Sequence, residues 1–557
     1  MRNAGRLLLP IGTTNYKKIC DNYYYVDKTL MIKDILDEGT EISLFTRPRR
    51  FGKTLNMDML RTFFEKQEED TSRYFTDKKI WQQGEAYTKH QGKYPVIYLS
   101  LKDANKLTWS DLYARLIETI RDEFFRHSEL NNSPKISNPE FYKKIIAGQA
   151  TEAEYSISIL RLSRMLREHY GQSVILMIDE YDTPIQAGYI NGFYNEAIQF
   201  IRDLFSSALK DNDNLAFGFL TGILRVAKES IFSGLNNIYV YSVLDDKFSD
   251  YFGFTDVEVK QLVHYYALDD KLAEIKEWYD GYRFGEVEIY NPWSVLSYLK
   301  NGCRAIPYWV QTSSNSTINT ILRNLDGETY QKLKDIINGK AISSIVSTNV
   351  IYPELKDRSA NIFGFLLMTG YLKSSRTNFT MRGNILCELC IPNKEIENVY
   401  YNEILSQLAD GVSINTTNVL SEALLHKDDV LLKQSLNKFL LETISFYDTL
   451  NENYYHGLLL GMTAIFAHDY YIYSNRESGL GRYDIMLVPK QAGLPGIVIE
   501  VKSTDKSSSA ALKALASRAL AQINTNKYDA ELVKQGVKLI YKYGIAFSGK
   551  QAEIMTN

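Results

Sequence analysis

Residues 44–60 read LFTRPRRFGKTLNMDML. An apolar run ends at Thr46, and a loop of Arg47, Pro48, Arg49 and Arg50 follows. Phe51-Gly52-Lys53-Thr54 then leads into a segment whose apolar positions, Leu55, Met59, Leu60, Phe63 and Phe64, suit one face of a helix. A strand, a glycine-bearing loop and a helix start form the arrangement that turns backbone N–H groups toward phosphate oxygens. The phosphate-loop pattern is G-x-x-x-x-G-K-[ST], and here Arg47 stands at the first glycine. Gly52 permits close backbone approach, Lys53 supplies a point charge for the β/γ-phosphates, and Thr54 supplies a hydroxyl for Mg2+. Arg49, Arg50, Phe51, Gly52, Lys53, Thr54 and Leu55 are the expected nucleotide contacts. Alone, FGKT also describes a plain basic turn between a strand and a helix.

A second stretch raises the specificity. VILMIDE, 174–180, is an apolar strand that ends in two acids. Asp179 is expected to hold Mg2+ through water, and Glu180 to polarise the attacking water. The plainer alternative is a buried strand whose acids begin the next loop. The two stretches in this order, within an alternation of strands and helices, form a joint signal for an α/β fold with a parallel sheet. YPVIYLSL (94–101) reads as an inserted strand between them, and helices are expected near 109–127, 152–169 and 192–210. LAFGFLTG (215–222) is expected beside the acid-bearing strand, presenting Thr221 to the γ-phosphate. Arg225 and Lys228 follow as candidate cationic stabilisers, or as ordinary surface cations.

Size and composition suit this reading. At about 100–200 residues per domain, 557 residues suggest roughly three or four domains. Net charge is −3, which is no polycation. Residues 501–557 hold nine Lys/Arg against four Asp/Glu, a balance of +5, leaving −8 on the remainder. Four cysteines make no disulfide framework, and Cys387-Glu-Leu-Cys390 lacks the second ligand pair of a zinc site. It reads as part of a strand. No apolar run approaches the ~20 residues that span a bilayer, so a cytoplasmic protein without membrane partners is expected.

LFTRPRRFGKT, IDEYDTPI and TGILRVAKESIFSGLNN together resemble the AAA-ATPase-like proteins that carry a C-terminal PD-(D/E)XK nuclease-like domain. YYYVDKT, WYDGYRFG and YNPWS fit the same resemblance, which covers most of the chain. It implies that RPRRFGKT is this family's form of the phosphate loop. It also implies ATP binding and hydrolysis coupled to a nuclease-type domain. The expected fold is α/β: a P-loop NTPase with a parallel sheet and helices on both faces (1–255), a mostly helical middle (256–430), and a small α/β restriction-endonuclease-like domain (431–557).

The C-terminal stretch GRYDIMLVPKQAGLPGIVIEVKS places Asp484 before one strand and Glu500 and Lys502 on another. Residues two apart on a strand share a face, so Glu500 and Lys502 project together, and a hairpin can bring Asp484 beside them. Two carboxylates and an ammonium suit metal-dependent phosphodiester cleavage: Asp484 and Glu500 hold the metal, and Lys502 orients or deprotonates a water. An E-x-K on an exposed strand is usually a charge pair, but this strand is almost wholly apolar, where unpaired charge is expensive. The arrangement matches the D…E-x-K core of PD-(D/E)XK nucleases. By that resemblance Glu452 is a candidate third carboxylate and Gln522 a polar group near the metal. His456 reads as a surface or core residue. Lys527 and Tyr528 are candidate phosphate-backbone contacts, in keeping with the +5 tail. The expected ligands are ATP, Mg2+ (with Mn2+ as a substitute) and DNA, with no base-reading module, and defence against foreign DNA is one expected use. A homo-oligomer is compatible with the sequence. The alternative is an ATP-driven switch or nucleic-acid-binding protein with an inactive nuclease fold.

Overall fold

ISLFT and VILMID are apolar without alternation, as strands covered on both faces require. They form β1 (Ile42–Thr46) and β3 (Val174–Asp179), in which every residue is buried. With β2 (Val96–Ser100), β4 (Leu215–Gly222) and β5 (Ile238–Tyr241) they make one parallel sheet in the order β2-β3-β4-β1-β5. The computed structural model describes residues 6–226, 237–309, 327–337, 339–350, 352–356, 359–400, 414–443, 452–463, 466, 469–474, 477–479, 481–505 and 508–557. Lys228 lies outside them.

Helix α1 (Lys53–Phe64) follows β1 and buries Met57, Leu60, Phe63 and Phe64 against the sheet. Helices α2 (Trp109–Arg126), α3 (Ser158–Tyr170) and α4 (Tyr194–Leu209) complete the connections. The helix expected near 152–169 is two helices, Glu152–Ser156 and α3, with Ile157 between them. The Ser158 hydroxyl donates to the Tyr155 carbonyl, one of the local side-chain bonds that compete with a continuous helix.

The described residues fall into two compact units, one running to Ile396 and the other from Glu397 onward. The first therefore includes most of the middle segment. That segment holds helices Asp256–Tyr265, Leu272–Tyr279, Pro292–Lys300 and Ser359–Met368, a hairpin of Tyr282–Phe284 with Val287–Ile289, and a three-stranded antiparallel sheet. The central strand of that sheet, Ile385–Cys390, carries both cysteines of the C-x-x-C, with Cys387 buried.

The second unit is built on β6 (Tyr470–Ser474), β7 (Ile485–Pro489), β8 (Gly496–Ser503), β9 (Ile540–Ser548) and β10 (Gln551–Thr556), paired in that order. Only β8 and β9 run parallel; the other neighbours are antiparallel. Alternation along β8 divides its side chains between two cores. Ile497, Ile499 and Val501 pack with helices α5 (Asp429–Thr443) and α6 (Glu452–Thr463). Val498 faces the opposite side with Ile523 of helix α7 (Ser509–Thr525). Glu500 and Lys502 share that second face by the two-residue period. Among the described residues, no helix is long and apolar enough to cross a membrane.

Candidate functional site

The first site lies where β1, β3 and β4 end. Gly52 caps α1 at φ 84°, a left-handed conformation open to glycine at no steric cost. Lys53 and Thr54 are thereby placed in the first helical turn, where the helix dipole is positive. The buried Lys53 ammonium donates to the carbonyl oxygens of Arg47 (2.9 Å) and Pro48 (2.8 Å). Burial lowers its pKa, against the opposing charges of Glu180, Asp182 and Asp179. Asp179, at the end of β3, receives one hydroxyl donor from the helix that follows β1 and one from the neighbouring strand β4. Thr54 donates to Asp179 Oδ2 at 2.8 Å, and Thr221 donates to Oδ1.

Thr221 also accepts the Glu180 N–H at 3.2 Å. One hydroxyl thus fixes both acids, and Glu180 is held at φ 56°, an uncommon left-handed conformation for a non-glycine residue. Burial raises the Glu180 carboxyl pKa, partly offset by Lys53. Asp182, which the sequence reading passed over, is also buried. It accepts the Ile223 and Leu224 N–H groups at 2.9 and 3.0 Å and contributes charge beside Lys53. Its signal was present as the third acid of IDEYD.

The basic loop residues divide by role. Arg47 is fully buried, donates to the carbonyls of Thr46, Tyr241 and Phe248, and lies over the rings of Phe252 and Phe284. It braces the loop from behind, which accounts for arginine in place of glycine. Arg49 donates to Gln186 at 3.0 Å, and Arg50 stacks its guanidinium 4.2 Å from the Trp293 ring centre. Phe51 is buried against Tyr282 and Phe284, so it serves packing. Leu55 follows in the first turn of α1. Arg225 is not joined to the loop: its strand Arg225–Val226 pairs with Asn349–Val350, and among the described residues it makes no hydrogen bond or ion pair with Lys53, Thr54 or the acids.

The second site is on the α7-facing side of β8. Ile485 pairs with Ile499 across the antiparallel β7–β8 ladder, which sets Asp484 opposite Glu500. Asp484 Oδ2 accepts the Val501 N–H at 2.7 Å. Glu500 Oε1 receives Lys502 Nζ at 3.0 Å and Gln522 Nε2 at 2.6 Å. Glu500 Oε2 is buried without a hydrogen-bond partner among the described residues. Burial, with the Asp484 charge added, pushes the Glu500 carboxyl up to about 7. Asp484, Glu500, Lys502 and Gln522 therefore converge.

His456, on α6, is buried with Nε2 at 3.1 Å from the Asp484 carbonyl and 3.0 Å from Ser474 Oγ. It holds the backbone that carries Asp484. Glu452 opens α6, and its side chain lies outside the described residues. Tyr528 is not the phosphate contact expected of it. It is buried, and its hydroxyl accepts from Gln522 and Asn526 at 3.1 and 2.9 Å. Lys527 is solvent-exposed.

Both donor sets fit the groups expected. Asp179 with Thr54, and Asp484 with Glu500, offer the hard oxygen ligands that Mg2+ and Mn2+ take, with remaining positions left to water or phosphate. The partnerless Glu500 oxygen is the strongest sign of a cation site, because a buried polar atom without a partner is costly. No group of three or more His, Cys, Asp or Glu able to hold a metal occurs among the described residues. The candidate protein ligands among the described residues are one carboxylate and one hydroxyl at the first site and two carboxylates at the second.

Comparison with known proteins agrees with the geometry. Residues 10–232 match the family model described as a Predicted AAA-ATPase, and residues 450–557 match that of the PD-(D/E)XK nuclease superfamily. Over 489 residues, the chain is 26% identical to the "Uncharacterized protein in vnfD 5'region" of Azotobacter chroococcum mcd 1; the match covers 86% of this chain and 81% of that protein. The first site falls inside the first matched region and the second site inside the other. The chain joins an AAA-ATPase-like domain to a PD-(D/E)XK nuclease-superfamily domain.

Proposed function

We propose that the protein binds and hydrolyses ATP at the first site and cleaves DNA phosphodiester bonds at the second, with a divalent metal at each. At the first site Lys53, Arg49 and Arg50 meet the phosphates, Thr54 and Asp179 hold Mg2+, and Glu180 takes the proton of the attacking water. At the second, Asp484 and Glu500 hold the metal, Lys502 positions a water, and Gln522 orients Glu500. When bound, the metal neutralises phosphate charge and lowers the pKa of a coordinated water. The observation that carries this reading is the convergence of Asp484, Lys502 and Gln522 on Glu500, which leaves one buried carboxylate oxygen unpaired. A nucleic-acid substrate suits a nuclease-superfamily domain whose last 57 residues carry +5. The four cysteines are free, which suits a reducing compartment such as the cytoplasm.

A second reading is an ATP-driven switch whose nuclease fold is inert. It is favoured by the internal satisfaction of Glu500 Oε1 by Lys502 and Gln522. Incubating DNA with Mg2+ or Mn2+, with and without ATP, separates the two. Wild type is expected to degrade DNA, and Lys502→Ala to lose about 100-fold or more of that rate. ATP turnover by a wild type that leaves DNA intact under every condition rejects the nuclease and supports the switch.

A further inference from the structure

Glu395 is a buried acid that neither site uses. It is 0% exposed, stands in the first turn of the helix Lys394–Val399, and has no cation bonded to it among the described residues. Its carboxylate receives the Ser294 hydroxyl at 3.0 and 2.8 Å and the Trp309 backbone N–H at 2.8 Å. A buried carboxylate held only by neutral donors costs several kcal/mol against water, so packing alone does not account for it.

Both of its partners lead to the phosphate loop. Ser294 follows Trp293 in the first turn of the helix Pro292–Lys300, and the Trp293 ring carries the Arg50 guanidinium at 4.2 Å. Trp309 turns its indole N–H onto the Arg49 carbonyl at 3.2 Å. The two tryptophans are also cross-tied, because Trp293 Nε1 donates to the Tyr308 carbonyl at 3.3 Å. One carboxylate therefore holds the backbone at Trp309 and the side chain of Ser294, the neighbour of Trp293, and each tryptophan grips a different arginine of the loop. Both arginines act electrostatically on Glu180, the acid expected beside the γ-phosphate.

We propose that Glu395 is a positioning residue for nucleotide binding, which through Trp309 and Trp293 sets where the loop presents Arg49 and Arg50 to the γ-phosphate. This rests on the ATP reading of the first site. It deepens that reading by assigning discrimination of ATP from ADP to residues of the middle segment more than 200 positions from the loop. Burial pushes the Glu395 carboxyl up to about 7, so above that pH it is ionised. Charge-assisted bonds are about twice as strong as neutral ones, and the carboxylate then holds the Trp309 backbone more firmly than an amide would, which sets the binding measurements at pH 8.

The test is a binding cycle on the full-length protein with ATP and ADP as probes, using wild type, Glu395→Gln, Trp309→Phe and the double variant. Trp309→Phe removes the indole N–H while keeping an aromatic ring against Tyr371, which Trp309 meets edge-on at 4.9 Å. It keeps the test available if Glu395→Gln weakens the fold. Each single variant is expected to lose about five- to tenfold in ATP affinity, with ADP affinity within about twofold of wild type. The double variant is expected to lose little more than either single, because the two residues form one chain of contacts. Equal losses for ATP and ADP, no loss, or fully additive losses overturn the proposal while leaving ATP binding intact. A wild type that binds neither nucleotide, as Lys53→Ala is expected to do, overturns the ATP reading as well.

Discussion

Glu500, the proposed metal ligand of the second site, lies in a place that penalises ionisation. Its ordinary value is 4.5, and burial beside Asp484 carries it to about 7. For an acid shifted upward, the folded state binds more protons than the unfolded chain between those two values. The favourable contribution is complete below about 4.5 and is lost as pH rises through about 7. Without metal, the second unit is therefore expected to lose stability between pH 5 and 8. Glu500→Gln should remove most of that slope and raise stability at pH 8 by about 1–3 kcal/mol, read by urea unfolding, while abolishing DNA cleavage. A destabilised Glu500→Gln protein would contradict the assignment. Such residues also mark how far the sequence was readable. Glu500 and Lys502 were legible because a two-residue period on an apolar strand forces them together. Tyr528 was not: that its hydroxyl turns inward to Gln522 depends on the packing of α7 against the sheet, which no local pattern encodes. Glu395 was missed for the same reason, since its partners lie about 90 to 100 positions earlier in the chain.

Strand order is what gives the elements their function. With β4 inserted between β1 and β3, the Thr221 hydroxyl is placed beside Asp179, where it bonds Oδ1 while Thr54 bonds Oδ2. The strands β1 to β4 were each readable from apolar runs, but their order was not. Parallel neighbours are joined by crossovers whose paths depend on which helix covers which face. β5, four residues with two aromatic side chains, carries too short a pattern to stand out. In the second unit the decisive contact is α7 on β9. A Cβ on Gly544 would come within 2.3 Å of the Ala516 carbonyl and 2.4 Å of the Leu520 N. Both are backbone atoms of α7, so relief requires the helix to move. Gly544→Ala is expected to cost the second unit about 1–3 kcal/mol and, by displacing Gln522, to reduce cleavage while sparing ATP hydrolysis. Equal loss of both activities would place the glycine's role elsewhere.

At the scale of the whole molecule, the chain carries two oxygen-rich sites, one in each of its two units. The middle segment, expected as a region of its own, supplies the tryptophans and tyrosines that wall the phosphate loop and packs within the first unit. We propose that two divalent-metal sites coexist on one polypeptide. Mn2+ binding followed by paramagnetic resonance, with and without a non-hydrolysable ATP analogue, tests it most directly. Two classes of bound Mn2+ are predicted: one that appears only with the nucleotide and vanishes in Lys53→Ala, and one present without nucleotide that vanishes in Glu500→Gln. A single class of bound ion, or Mn2+ binding untouched by either substitution, would contradict the account.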